Sequence, residues 1–427
     1  MALASGSVIE IDVEKPAAGG RMLGRHQGQV VLAWGAIPGE RVRVRIERVG
    51  KGVVFGEVME ILTPSPDRRS TPADWRCGGN VFAHVDYARQ VHLKAQIIQD
   101  AFGRIGRVPL SEVPPVLPSP ERGYRMRARL HAHEGRLGFY REGTHALCDA
   151  VATGQLLPQT GAWLEQVETI LQRERLTGLA GLEVAENVAG DRRAGHLELH
   201  AGVDAAPFVA LADGLTGLSA SRADALDVRR LAGDPAVSDT LLVHASSQTM
   251  LTLRRDVRAF FQSNRFLLEP LVRHVVGLVP VERRVLDLYG GVGLFGLSLA
   301  AAGAGDVTLV EGDPISGADL KTNAEPFHGT HVFLRSVESY LTADRETHPD
   351  ATVIVDPPRT GLSKDALAGI VRMRPALLVY VSCDPATLAR DARGLLDAGY
   401  ALGPLTAFDL FPNTAHVETV AAFTRTE

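Results

Sequence analysis

The sequence predicts an α/β protein: a parallel sheet with helices on both faces, preceded by a small β-barrel and a mixed α+β segment. Three observations carry this. From about residue 280 the short β-rich runs "RRVLDLYGG", "DVTLVEG", "ATVIVDPP" and "ALLVYVSCD" alternate with helical stretches, the pattern of a parallel sheet covered on both faces. Residues 1–62 instead alternate apolar and polar positions between Gly and Pro punctuation, as in a small Greek-key barrel of the OB type. And 427 residues are more than one core usually spans, so two or three domains are expected.

In chain order, "GQVVLAWG", "ERVRVRIERVG" and "GVVFGEVMEIL" supply barrel strands. Residues 63–76, rich in Pro, Ser and charge, read as a linker, and residues 86–103 as a helix ending at Gly103. Residues 109–250 mix strands and helices without a readable motif. The expected division is 1–62, 63–250 and 251–427.

Composition narrows the class. Apolar residues at 45% and charged residues at 22% are ordinary for a soluble globular chain. The N-terminus "MALASGSVIE" lacks the basic and apolar regions of a signal peptide, and no run is long enough to cross a membrane. Three widely spaced cysteines make no disulfide framework and point to a reducing compartment, so the expected location is the cytoplasm. A net charge of −5 argues against nucleic-acid binding unless basic residues are segregated. They are: residues 121–141 hold six arginines against two glutamates. Arg125, Arg127 and Arg129 alternate with apolar residues, which places them on one strand face. That face suits either solvent or phosphates.

Ligands of such sheets bind at the carboxyl ends of the strands. "VLDLYGGVGLFG" (285–296) carries Gly291-x-Gly293-x-x-Gly296, and Glu311 closes the next strand, where an acid holds ribose hydroxyls. NAD, FAD and S-adenosylmethionine all remain open on that pattern. Asp287, inside the strand, disfavours a pyrophosphate and suits a cationic methionine end, and "DPPR" is not needed by a dehydrogenase. In "LVYVSCDPATLARD" Asp384 reads as a helix N-cap and Pro385 as the first helical residue. Cys383 just ahead of that N-terminus is expected to favour thiolate. A core cysteine at a strand end is the bland alternative.

Together "AFFQSNRFLLEPLV", "VLDLYGGVGLFG", "IVDPPRTGL", "LVYVSCDPATLARD" and "FDLFPNTAHVETVAAF" resemble, in order, the motifs of S-adenosylmethionine-dependent RNA 5-methyluridine methyltransferases. The N-terminal barrel resembles the TRAM module of many members. The resemblance implies a Rossmann-like, seven-stranded class I methyltransferase domain whose last strand is antiparallel. It implies that Cys383 adds to uracil C6 and that Glu418 removes the C5 proton. Gln262, Tyr289, Glu311 and Asp356 match positions that hold S-adenosylmethionine. Phe260 would stack on an extruded base. The implied partner is RNA, 23S rRNA before tRNA, with no membrane and a monomeric chain. Arg125, Arg127 and Arg129 are carried as RNA contacts.

One departure concerns the iron–sulfur cluster that many relatives hold on four cysteines. Cys77 stands in "RCGGNVFAH", but Asn80 occupies the next ligand position and Thr71 the first; Cys148 would be the fourth. Two thiolates cannot supply the site, so no cluster and no metal are expected, with Cys77 and Cys148 as relics or packing residues. The competing readings are an RNA cytosine-5 methyltransferase, which typically carries a second cysteine where Arg359 stands, an N-methyltransferase, which needs no Cys383, and a non-catalytic RNA-binding factor.

Overall fold

In a computed structural model of the chain, residues 3–71, 74–225 and 227–426 are described. The expected limits at residues 1 and 427, and residues 72 and 73 of the expected linker, lie outside them. Five strands, β1 (Val8–Pro16), β2 (Met22–His26), β3 (Gln29–Trp34), β4 (Arg41–Val49) and β5 (Val53–Thr63), close into a barrel in the order β1-β2-β3-β5-β4. Strict alternation does this: Val42, Val44 and Ile46 of β4 are buried inside, while Arg41, Arg43 and Arg45 face out onto Glu10, Glu60 and Glu57. Gly56 permits the β4–β5 approach, since a Cβ there would lie 2.7 Å from the Arg45 carbonyl oxygen.

Helix α1 (Tyr87–Ala101), capped by Asp86, lays Leu93 and Ile97 into the barrel's apolar cluster. It runs past the expected stop at Gly103 into one wide turn, Phe102–Gly106, and ends at Arg107 in the left-handed region. The central segment forms a seven-stranded sheet backed by the helix Pro158–Arg173. The hairpin Ala236–His244/Thr249–Asp256 packs Leu241, Val243, Leu251 and Leu253 into the core of the C-terminal sheet. The expected boundary at 250 therefore cuts a strand.

The C-terminal sheet has the spatial order Thr330–Leu334, Val307–Glu311, Val285–Leu288, Thr352–Val355, Leu377–Ser382, Glu418–Arg425, Tyr400–Phe408. The first five are parallel, and Glu418–Arg425 runs antiparallel to both neighbours. A two-residue strand, Val116–Leu117, extends the edge as an eighth member that short-range patterning does not mark. Two apolar clusters fill the two faces of this sheet. Among the described residues no helix is long and apolar enough to cross a membrane.

Candidate active site

Four strand ends and one strand start converge on a single cavity of about 560 Å³. After Val285–Leu288 the chain turns sharply: Tyr289 has φ 66° and Gly293 φ 102°. A Cβ on Gly293 would sit 2.4 Å from Leu297 Cδ1, so the turn requires glycine there. Gly296 opens the next helix, and its N–H donates to Asp287 Oδ2 at 2.7 Å. Asp287 thus holds the loop from beneath, fully buried, and does not line the cavity. This corrects the expectation that it faces a cationic ligand. Burial pushes its carboxyl up to about 7, the Gly296 N–H pulling the other way.

Glu311 stands at the end of Val307–Glu311 and accepts from Gly291 N at 2.7 Å and Asp313 N at 2.5 Å. Burial raises its pKa while those N–H groups lower it. Asp356 follows Thr352–Val355 and accepts from Gln262 Nε2 at 3.0 Å. Gln262, Tyr289, Glu311 and Asp356 all line the cavity. Phe260 lies at its edge with 63% of its surface exposed.

Ser382 pairs with Thr419, so one further step of the antiparallel register sets Cys383 opposite Glu418. Both line the cavity. Asp384 caps the helix Pro385–Asp397 and accepts from Ala386 N and Thr387 N, each at 2.9 Å. Those donors are therefore spent on Asp384. Burial pushes the Cys383 thiol up to about 12, with Glu418 and Asp356 adding to the effect and Arg359 opposing it. The expectation of a favoured thiolate is corrected: desolvation, then Glu418 and Asp356, outweigh the helix terminus. Glu418 is buried, with Oε1 lacking a hydrogen-bond partner among the described residues. Burial, then Asp356, raises its pKa well above the usual carboxylate range.

Arg359 and His416 also line the cavity, and the sequence alone assigns neither a role in the reaction. Arg359 has no hydrogen-bonded or ion-paired partner among the described residues. His416 is kept neutral, with its pKa lowered to about 4 by burial and then by Arg359. Both lie inside quoted motifs, "DPPR" and "HVETV", which were the available signal.

The arginine face differs from expectation. Arg127 pairs with Glu183 at 2.7 Å, on the adjacent strand, and Arg129 with Glu198 at 2.7 Å, one strand further along the sheet. Arg125 precedes the strand Arg127–His133 and donates to Gln155 Oε1 at 2.7 Å. The three guanidinium groups do not make an unneutralised stripe.

Cys77 and Cys148 are joined as a disulfide across 71 residues, which corrects their reading as relics or packing residues. Buried Asn80 has no hydrogen-bond partner on its amide among the described residues. A four-cysteine cluster does not fit this donor set, since both thiols are spent on each other and Asn80 supplies no thiolate.

A TRAM domain model matches residues 3–59, and a tRNA (uracil-5-)-methyltransferase model matches residues 323–426. The chain is 34% identical to the 23S rRNA (uracil(1939)-C(5))-methyltransferase RlmD of Methylococcus capsulatus, over 98% of this chain and 97% of that protein. This chain belongs to the S-adenosylmethionine-dependent RNA uracil-C5 methyltransferases. It is also 31% identical to an RNA methyltransferase of Thermosynechococcus vestitus, over 98% of each chain. The solved structure of the Pyrococcus abyssi tRNA (uracil-54, C5)-methyltransferase, in complex with S-adenosyl-L-homocysteine, shares the fold. Its TM-score is 0.76 at 24% identity, covering 97% of this chain and all of that one.

Proposed function

We propose that the chain methylates C5 of a uridine in a structured RNA, 23S rRNA before tRNA, acting as a monomer in the cytoplasm. The observation that carries this reading is the placement of Cys383 opposite Glu418 in one cavity with Asp356. The cavity suits a sulfonium nucleoside: Glu311 stands at the strand end that suits ribose hydroxyls, and the lining carries four acids, Glu311, Asp313, Asp356 and Glu418, which would favour a cation. Gln262, Tyr289, Glu311 and Asp356 hold S-adenosylmethionine, which supplies the methyl group.

Cys383 loses its proton to solvent and, as the thiolate, forms the Sγ–C6 bond with uracil. The C5=C6 electron pair moves toward C4=O as an enolate, and C5 becomes nucleophilic. Once C5 carries the methyl group, Glu418 takes the C5 proton. The C5–H electrons re-form C5=C6 as the C6–S bond breaks, and Cys383 leaves as thiolate. The raised pKa of Glu418 suits a base, because a more basic carboxylate takes the proton with less uphill cost. Exposed Phe260 stacks on the extruded base. Arg127 and Arg129 contact RNA only at the edge of their ion pairs, and Arg125 only beside its bond to Gln155.

An RNA cytosine-5 enzyme typically carries a second cysteine directly after the Asp-Pro-Pro motif. Arg359 occupies that place, and the other two cysteines are paired with each other. The test is to map 5-methyluridine in total rRNA and tRNA from a strain lacking the gene. Loss of one site supports the proposal and names the RNA; loss of a 5-methylcytidine site, or of none, overturns it.

A further inference from the structure

Glu418 is delivered to the cavity by residues 409–417, and that stretch is anchored by a helix more than 300 residues earlier. Lys94 and Asp409, 315 positions apart, form an ion pair in which both side chains are fully buried. Lys94 Nζ also donates to the Phe411 carbonyl at 2.9 Å, and Tyr87 Oη donates to Asp409 Oδ2 at 2.9 Å. One turn away, Gln90 makes a two-way amide clamp. Its Nε2 donates to Asn413 Oδ1, and Asn413 N donates to its Oε1, each at 2.9 Å. Tyr87, Gln90 and Lys94 lie three and four apart on α1, so one helix face grips the stretch at three successive points.

Stability does not explain a dry lysine–aspartate pair, because apolar side chains of the same volume serve a core as well or better. What such a pair supplies is direction. One ammonium group fixes both a side chain and a carbonyl two residues on, and so fixes the path toward His416 and Glu418. We propose that Lys94 is a positioning residue: through Asp409 and the Phe411 carbonyl, α1 sets where the Glu418 carboxylate meets the C5 proton. This inference rests on Glu418 as the base. Cys383, Tyr289, Glu311 and Asp356 follow or close other strands, whereas Gln262 lies two residues from Asn264, whose Nδ2 donates to the Leu410 carbonyl at 3.1 Å.

The test compares the double variant Lys94→Met/Asp409→Asn with Glu418→Gln in the full-length protein. The double variant removes both buried charges together, leaves an acceptor for Tyr87, and loses the bond to the Phe411 carbonyl. Its melting temperature and S-adenosylmethionine affinity should stay near wild type. Turnover on RNA should fall roughly 10- to 100-fold, the usual cost of a misplaced reacting group. A denaturation-resistant protein–RNA adduct carrying the cofactor's methyl label should accumulate, as with Glu418→Gln. A structural role alone predicts that turnover follows stability and that no adduct builds up; that result overturns the proposal. If the double variant does not fold, Asn413→Gly decides. Its φ of 64° suits glycine; the change removes the Oδ1 acceptor shared by Gln90 and Arg69 and keeps the backbone N–H bond to Gln90 Oε1. Raised adduct supports the proposal and wild-type turnover overturns it. Adduct from Glu418→Gln but from neither clamp variant overturns positioning alone. No adduct from Glu418→Gln overturns the base assignment, and positioning with it.

Discussion

Replacing Glu311 by alanine should weaken S-adenosylmethionine binding with little change in fold. An ionised carboxylate has about four lone-pair positions. Two are taken by the Gly291 and Asp313 N–H groups, which leaves one for each ribose hydroxyl. A hydrogen bond to a charged group is worth about 1.5–3 kcal/mol, so two would give about 3–6 kcal/mol. Part of that charge already serves the two backbone donors, so the lower end applies. At about 1.4 kcal/mol per factor of ten, affinity should fall roughly 100-fold. Glu311→Gln keeps one acceptor oxygen and should lose less, about 10-fold. Calorimetric titration of each variant reads both numbers, with thermal unfolding as the control on the Gly291 turn. Affinity for both variants within about twofold of wild type would refute the ribose assignment, since RT ln 2 is smaller than any single charged hydrogen bond.

Other outcomes follow from the same geometry. Glu418 must be ionised to accept a proton and its pKa is raised, so activity should fall with decreasing pH at a point above the ordinary carboxylate range. An acid limb near 4, read from a pH profile of kcat/KM, would contradict the assignment. Glu418 also raises the Cys383 thiol, so Glu418→Gln should shift the pH profile of Cys383 alkylation to lower pH; an unmoved profile would separate the two side chains. Titration of the denatured, unreduced protein should find one thiol per chain, Cys383, and reduction should reveal three. Three before reduction would show that Cys77 and Cys148 are unpaired.

What the sequence disclosed was what short-range chemistry decides. The glycine turn, the acids closing strands and the Asp384–Pro385 helix start all follow from neighbouring residues, and they lie where expected. What it hid depends on partners far along the chain. Arg127 and Arg129 read as a cationic stripe because Glu183 and Glu198 belong to strands more than fifty residues away. Cys383 read as a thiolate because the helix N-terminus is local, whereas the burial that raises it, and then Glu418 and Asp356, come from distant parts of the chain. The Cys77–Cys148 pair and the Lys94–Asp409 pair left no local pattern at all.

The central claim is that Cys383 adds to the base and Glu418 releases it. The direct measurement incubates Glu418→Gln with substrate RNA and methyl-labelled S-adenosylmethionine, then separates the products on a denaturing gel. The expected result is a labelled protein–RNA band that needs both the cofactor and Cys383 and is absent from Cys383→Ala. A Glu418→Gln enzyme that turns over at the wild-type rate, or a Cys383→Ala enzyme that still methylates RNA, would contradict it.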